Sequence, residues 1–235
     1  MRLLKRWQAL VAEHGSRQVA ALYVLHRVIQ RLSGGRASIV PYVLVAQPVG
    51  NPALADVKPD ASTVVRRITP DDPVVASFPR PAEVNAQRFA DGSECYVAWV
   101  KGQFAGHIWI ARGRYVEDEV RCVYEIADPA SGVWDYDVYV EPRLRLGRTM
   151  ARMWRAVDDD LAARGVRWSF SRINRFNAGS IRAHQRLGAT QIGGLTALPV
   201  GALQLTFCTG KSAGWRHPWR PRTVALLAPD KPQLT

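Results

Sequence analysis

The sequence predicts an α/β protein with a mixed, mostly antiparallel central sheet, helices on both faces and a basic helical extension at the N-terminus. Two observations predict the sheet: apolar and polar residues alternate in several short segments, and hairpin-like segments precede a strand–helix–strand–helix order. A third predicts the extension, because the first 36 residues carry seven basic residues and one acidic residue. With 235 residues, 47% of them hydrophobic, the chain can bury a sizeable core.

The N-terminal segment is predicted to contain an amphipathic helix. Apolar residues recur at helical spacing over Leu22 to Leu32, Arg27 and Arg31 lie between them, and Gly34 ends the pattern. A basic amphipathic helix of this kind can lie on an anionic membrane surface. The alternative is a terminal helix that docks on the core and exposes a solvated basic face.

Composition divides the chain into three regions. Residues 1–60 form the extension and end in a Pro- and Gly-rich linker from Pro41 to Pro59. Residues 61–211 form the main domain, and residues 212–235 form a tail that contains Pro, Trp and Arg. We interpret the tail as an extended strap along the domain, with nucleic-acid stacking as the alternative.

Short alternating segments predict the strands of the main domain. Lys101–Gly102 reads as the turn of a hairpin. Prolines interrupt the stretch from Pro70 to Ala90, a region in which we expect binding specificity to reside. The predicted strands are Thr63–Ile68, Cys95–Val100, Phe104–Ile110, Val120–Ile126, Trp134–Val140 and Val166–Phe170.

Two helices are predicted in the second half of the main domain. The first follows Pro142, carries an apolar stripe and ends at Gly165. The second begins at Asn177, a good N-cap, and stops at Gly188, which can adopt the left-handed conformation.

The charge and the cysteines limit the classes of function. A net charge of +12 predicts an anionic partner, which is nucleic acid, an acidic membrane surface or a phosphate-rich cofactor. Cys95, Cys122 and Cys208 are far apart and lack metal-ligand spacing, so we expect reduced thiols and no metal site. No signal peptide is apparent. We therefore expect a cytoplasmic protein, with peripheral attachment at the inner face of the membrane as a further option.

The second of these helices carries a pattern that resembles the GNAT superfamily of acyl-CoA-dependent N-acetyltransferases. That family has an Asn, a small or hydroxyl residue three positions on, commonly a Tyr seven positions on, and a Leu-Gly pair. In this sequence the positions hold Asn177, Ser180, His184 and Leu187–Gly188. The spacing matches at every step, and a histidine stands where the family usually has tyrosine.

A second signature resembles the turn that receives the coenzyme pyrophosphate in the same family. A strand ends in Val140–Glu141–Pro142, and Arg145 and Gly147 precede the next helix. The family's two glycines are not matched in register; one of the positions is Arg148. The resemblance covers roughly residues 62–210.

The resemblance implies an N-acyltransferase that moves an acetyl or longer acyl group from acyl-CoA to an amine by direct attack on the thioester. It implies acetyl-CoA or another acyl-CoA as donor, and no metal. The expected acceptor is a small-molecule or lipid-linked amine, and the amphipathic N-terminus indicates that the acceptor or the acyl group is membrane-associated. The coenzyme contacts that the resemblance implies are Val138, Tyr139, Val140, Arg145, Gly147, Arg148, Thr149, Asn177, Ser180 and His184.

The acceptor amine must lose a proton before it attacks the thioester, which requires a carboxylate or an ordered water near the acyl group. Asp137 is the first choice because it lies nearest the Val-x-Pro end, Asp135 is the second, and Glu125, expected on the neighbouring strand, is the third. His184 could protonate the departing thiolate, because its ordinary pKa is close to neutral. A packed, non-catalytic His184 is the alternative, and His107 is interpreted as structural or surface.

Two other functions stay open. One is a catalytically degenerate GNAT-like module that binds an acyl carrier or an anionic membrane surface, since the turn lacks glycines in register. The other is nucleic-acid binding, which the net charge favours but no recognised motif supports. We therefore do not expect nucleic acid as the partner.

Overall fold

The computed structural model describes residues 2–145, 147–210, 214–216 and 221–229. The chain divides into two compact units: residues 1–46, 116–125 and 172–235 form the first unit, and residues 47–115 and 126–171 form the second. Both units draw on the predicted main domain. Much of the predicted tail, residues 212–235, lies outside the described residues.

The described helices and strands follow one another along the chain with short connections. The α-helices are α1 (Arg2–His14), α2 (Arg17–Leu32), α3 (Pro52–Ala55), α4 (Ala82–Ala90), α5 (Thr149–Ala163) and α6 (Ala178–Arg186). The strands are β1 (Val40–Pro48), β2 (Thr63–Ile68), β3 (Glu94–Val100), β4 (Gln103–Arg112), β5 (Arg114–Val116), β6 (Cys122–Ile126), β7 (Gly132–Val140), β8 (Trp168–Asn174), β9 (Thr190–Val200), β10 (Leu203–Gly210), β11 (Gly214–Arg216) and β12 (Arg222–Leu226).

The second unit is built on a mixed sheet. Strand β2 pairs with β3, β3 with β4 and β4 with β7, all antiparallel, whereas β7 and β8 run parallel. Lys101 and Gly102 both have positive φ, 51° and 75°, as the predicted tight turn between β3 and β4 requires. Helix α5 packs on β2, β3 and β4 through a buried stripe. That stripe consists of Met153, Trp154, Val157 and Leu161, as the periodicity predicted.

The first unit also contains a sheet. Strand β1 pairs with β9, β9 with β10 and β10 with β11, all antiparallel. A smaller three-stranded sheet has the order β12-β6-β5. Apart from β7 with β8, the strand pairs that the structure describes in these two larger sheets are antiparallel, so the predicted mixed, mostly antiparallel architecture is confirmed.

The predicted linker is the clearest difference from the sequence-based expectation. Instead of an irregular Pro41–Pro59 connection, residues Val40–Pro48 form β1, whose side chains are buried except at the final proline. The Pro41 carbonyl accepts a hydrogen bond from the N–H of Arg175 at 2.8 Å. A proline near the start of a strand is tolerated because its missing N–H removes few ladder bonds. The apolar run therefore outweighs the prolines.

The N-terminal helices form a hairpin in the first unit. Ser16 caps α2 by accepting a hydrogen bond from the N–H of Val19 at 3.1 Å. His14 is buried and its Nδ1 lies 2.9 Å from the carbonyl oxygen of Phe176. Within the described residues, no helix is both long enough and apolar enough to span a bilayer.

Candidate active site

Strands β7 and β8 separate partway along their length. Their parallel pairing joins Gly132–Trp134 to Trp168–Phe170. Beyond this point the described pairing of β7 is with β4 alone, as far as Val140. The remaining edge of β7 therefore has peptide groups that a β-strand neighbour does not use. An extended amide-containing ligand could pair with such an edge.

A β-bulge lies on this same part of β7. The register with β4 shifts between His107 and Trp109, so that β7 has one extra residue opposite them. Asp137 is in the left-handed region, with φ of 47°, which is uncommon for a residue other than glycine. The bulge changes the direction in which the strand presents its side chains and backbone.

Gly106 on β4 permits the two strands to approach closely beside the bulge. A Cβ atom at Gly106 would lie 2.3 Å from the carbonyl oxygen of Tyr139. Real Cβ atoms do not come this close to a backbone oxygen, so the position requires glycine. The sequence alone gave no reason to single out this glycine among 18.

The chain after Val140 forms a turn that leads into α5. Pro142–Leu144 is a single 3₁₀ turn, and the Nε of Arg145 donates to the carbonyl of Val140 at 2.9 Å. The guanidinium of Arg145 also lies 5.9 Å from the ring centre of Tyr139. Arg145 thus fixes the strand end to the turn that the sequence predicted as a phosphate site.

The N-terminus of α5 has the features of an anion-binding site. Arg148 is its N-cap residue, makes no side-chain capping bond, and no acidic residue lies in the first turn. The N–H of Gly147 bonds to the carbonyl of Leu144 at 3.1 Å, and Thr149 is buried. The first N–H groups of a helix have no intrahelical acceptor, and together with the helix dipole they attract phosphate. Arg148 is exposed and adds positive charge at this end.

Asp137 forms an ion pair instead of standing alone at the site. Its carboxylate accepts a hydrogen bond from the guanidinium of Arg88, and Arg80 lies 3.4 Å away. Burial raises the pKa of Asp137, but the interactions with His107 and Arg88 outweigh burial and hold the pKa well below its usual range. Asp137 is therefore ionised throughout the physiological range and has little tendency to accept a proton.

Arg88 reaches Asp137 from α4, inside the Pro-interrupted region. It is 7% exposed, and its guanidinium lies 5.3 Å from the ring centre of Trp109 and 5.1 Å from that of Tyr136. Cation–π contacts with two rings stabilise a buried guanidinium. Sequence reasoning missed Arg88, because nothing in the sequence shows that a helix from this region faces β7.

His107 lies beside the same ion pair. It is fully buried, its Nε2 is 3.9 Å from Oδ2 of Asp137, and the rings of Phe78 and Tyr139 are 4.5 and 5.6 Å from its own. The 3.9 Å separation is too long for a hydrogen bond. Within the described part of the chain, neither ring nitrogen of His107 has a hydrogen-bond partner. Of the two expectations for His107, structural or surface, burial supports the structural one, and nothing in the sequence indicated its neighbours.

Asp135 and Glu125 have surroundings different from those of Asp137. Asp135 is 1% exposed, and its Oδ2 accepts a hydrogen bond from Ser169 Oγ at 2.7 Å. Glu125 is exposed and lies on β6, whose sheet neighbours are β5 and β12 rather than β7. The expectation that Glu125 occupies a strand next to Asp137 is therefore corrected. The two aspartates of β7 therefore have different partners, Ser169 for Asp135 and Arg88 for Asp137.

The predicted coenzyme residues fall in both units, with Val138 to Thr149 in the second and those of α6 in the first. On α6, Asn177 is exposed, and its Oδ1 accepts the N–H of Ser180 at 2.9 Å, so this side chain caps its own helix. Ser180 is half-buried and His184 is 4% exposed. Gly188 has φ of 71° just after the helix, as predicted.

Metal ligands do not converge in the described chain. Among residues 2–145, 147–210, 214–216 and 221–229, no group of three or more His, Cys, Asp or Glu side chains is arranged to hold a metal ion. Cys95, Cys122 and Cys208 are all buried and unbridged. Burial raises the pKa of the Cys122 thiol to about 12, so this thiol is not a nucleophile at neutral pH.

Neither a protein-family model nor a curated protein matches this sequence. Solved structures with a similar fold include GNAT proteins. A conserved Staphylococcus epidermidis protein of unknown function is 12% identical, with a TM-score of 0.49 over 74% of this chain and 67% of its own. A tandem GNAT protein from the clavulanic acid biosynthesis pathway is 17% identical, with a TM-score of 0.47 over 74% and 58%. AAC(6')-Iy, in complex with a CoA-S-monomethyl-acetylneamine bisubstrate analogue, is 17% identical, with a TM-score of 0.40 over 55% and 90%.

Proposed function

We propose that this chain is an N-acyltransferase that moves an acetyl or longer acyl group from acyl-CoA to an amine. The observation that carries the proposal is the segment that joins β7 to α5. The last part of β7 is not paired with β8, and the chain runs from there to the N-terminus of α5, which has no side-chain cap and carries Arg148. An extended pantetheine amide chain suits the first feature and a pyrophosphate suits the second.

In this proposal the backbone of Val138 and Val140 binds the pantetheine amides. The first-turn N–H groups of α5 bind the pyrophosphate, and the guanidinium of Arg148 neutralises part of its charge. Arg145 keeps the turn in place through its bond to the Val140 carbonyl. Tyr139 and Gly147 lie in the same segment, between Val138 and Thr149. Thr149 is the first residue of α5, whose N-terminus binds the phosphates in this proposal.

The roles proposed for the α6 residues, which belong to the first unit, rest on the sequence resemblance alone. Asn177 and Ser180 shape the start of the helix through their mutual hydrogen bond. His184 supplies the proton that the coenzyme thiolate takes up as the carbon–sulfur bond breaks. A neutral thiol then leaves, while the amine nitrogen forms the new bond to the acyl carbon.

Asp137 has an electrostatic role in this proposal. A carboxylate whose pKa is held far below neutrality is a weak base, so proton removal from the amine is assigned to water at the site. Asp137 holds Arg88 and the bulge in place. Asp135 remains the alternative base, and its carboxylate accepts a hydrogen bond from Ser169.

The proposal is tested by measuring release of free CoA thiol from acyl-CoAs of increasing chain length, with small amines and amine-bearing lipids as acceptors. We expect amine-dependent thiol release, matched by mass-spectrometric detection of an amide product. Saturable coenzyme binding with no turnover on any acceptor would instead favour the degenerate binding module. No binding and no turnover would reject the proposed coenzyme site.

A further inference from the structure

The N-terminal hairpin exposes an unusual amount of apolar surface. Large exposed apolar patches on folded proteins mark interaction sites. Leu3 and Leu32 are 80% and 83% exposed, values near those of an unfolded chain. Within the described residues, the large apolar side chains exposed on α1 and α2 are Leu3, Leu4, Val24, Leu25, Val28 and Leu32.

Helix α2 is docked to its own unit by one face only. The rings of Tyr23 and His26 each lie 5.3 Å from the ring of Phe176. His26 Nδ1 also accepts a hydrogen bond from the N–H of Ile39 at 3.1 Å. At 100° per residue, the opposite face carries a stripe about 100° wide. The stripe consists of Val24, Leu25, Val28 and Leu32, all exposed.

Basic residues border this apolar stripe. Arg27 and Arg31 are exposed and project from the arc between the docked face and the stripe. A groove of about 750 Å³ between the helices has Leu10, Val24 and Val28 among its lining residues, together with both arginines. Apolar surface with cationic groups at its edge matches a ligand that has an anionic head and an apolar body.

We propose that the α1–α2 hairpin binds the surface of an anionic lipid bilayer. Val24, Leu25, Val28 and Leu32 enter the boundary between headgroups and acyl chains, while Arg27 and Arg31 contact lipid phosphates. Charge decides between occupants: a second copy would bring two segments together that each carry seven basic residues and one acidic residue. Binding to nucleic acid would leave the apolar stripe exposed to water, so nucleic acid does not account for this surface.

The experiment is flotation of the full chain with vesicles of phosphatidylcholine, with and without phosphatidylglycerol. Point variants are preferable to deletion of residues 1–60, because deletion would remove the buried strand β1. We expect binding only to the anionic vesicles. R27Q/R31Q should lower the partition coefficient about 25-fold, from roughly a fivefold loss per cationic side chain.

Two further variants separate surface insertion from net charge. K58Q/R167Q removes the same charge from exposed positions in the second unit and should bind as the wild type does. L25S/L32S keeps the charge, removes two of the four apolar side chains of the stripe and should bind at least tenfold more weakly. Circular dichroism and melting temperature establish that each variant folds.

Four outcomes would overturn the proposal. Equal binding to both vesicle types would remove the role of anionic lipid. Equal losses in R27Q/R31Q and K58Q/R167Q would reduce the effect to net charge, and full binding by L25S/L32S would exclude insertion. A dimer in light scattering that L25S/L32S dissociates, without vesicle binding by the wild type, would assign the face to a second copy.

Discussion

Replacement of Asp137 by Asn tests whether this carboxylate supports the structure or acts as a base. The change removes the counter-charge that Asp137 supplies to the buried guanidinium of Arg88. Removing one partner of a buried ion pair costs about 3–5 kcal/mol. The side chains of Arg88 and Asp137 are 9% and 18% exposed, and Asn retains one acceptor oxygen, so we expect about 2–3 kcal/mol. The melting temperature should fall by about 5–10 °C.

The pH dependence gives this prediction a second, independent readout. The pKa of Asp137 is lower in the folded state than its unfolded value of about 3.9, so the pair stabilises the fold above that pH. This contribution is lost progressively as pH falls below about 4, because protons bind the unfolded state first. The stability difference between wild type and Asp137→Asn should therefore be constant near neutrality and shrink towards pH 3.

Urea unfolding at neutral and acidic pH measures both effects, and Asp159→Asn is the matched control. Asp159 pairs with Arg155 on the surface of α5 with 61% exposure, so its replacement should change stability little. Equal stability of wild type and Asp137→Asn at pH 7, or a difference unchanged at pH 3, would refute the ion-pair account. Loss of turnover with intact stability, together with a lost inflection in the pH–rate profile, would return Asp137 to the role of base.

The remaining predictions concern the coenzyme site and the bulge. His184→Ala should lower kcat about 10²-fold with little change in KM for acyl-CoA, in steady-state assays; unchanged turnover would leave His184 as a packing residue. Arg148→Glu should weaken CoA binding at least tenfold by calorimetry, whereas Arg167→Gln, an exposed arginine in the same unit, should have no effect. Gly106→Ala should destabilise the protein by about 2–3 kcal/mol in urea unfolding, because its Cβ would overlap the Tyr139 carbonyl; wild-type stability would contradict the close approach of β4 and β7.

Most secondary structure was predictable because local patterns decide it. The β3–β4 hairpin follows from Lys101–Gly102, and the buried stripe of α5 follows from its periodicity. Strand β1 was not predicted, because its prolines indicate a loop locally while burial of Val40–Pro48 is set by pairing with a distant strand, β9. Helix α1 was not predicted either; its apolar residues are interrupted by charge.

The candidate site was only partly predictable. Motif spacing located the end of β7 at Val140 and the start of α5, because both depend on residues adjacent in the chain. The partners of Asp137 were not predictable, since Arg88 comes from a helix 49 positions away and His107 from a neighbouring strand. Spacing also gave no warning of the bulge, which separates the surroundings of Asp135 from those of Asp137.

The most direct test of the central claim is equilibrium binding of acetyl-CoA to the full chain, followed by calorimetry and by the shift in melting temperature. If β7 and the N-terminus of α5 form a coenzyme site, binding is saturable and raises the melting temperature with increasing ligand, and Arg148→Glu removes most of the effect. If acetyl-CoA, longer acyl-CoAs and free CoA all leave the melting temperature unchanged at saturating concentrations, the chain has no coenzyme site and the proposed acyl transfer is wrong.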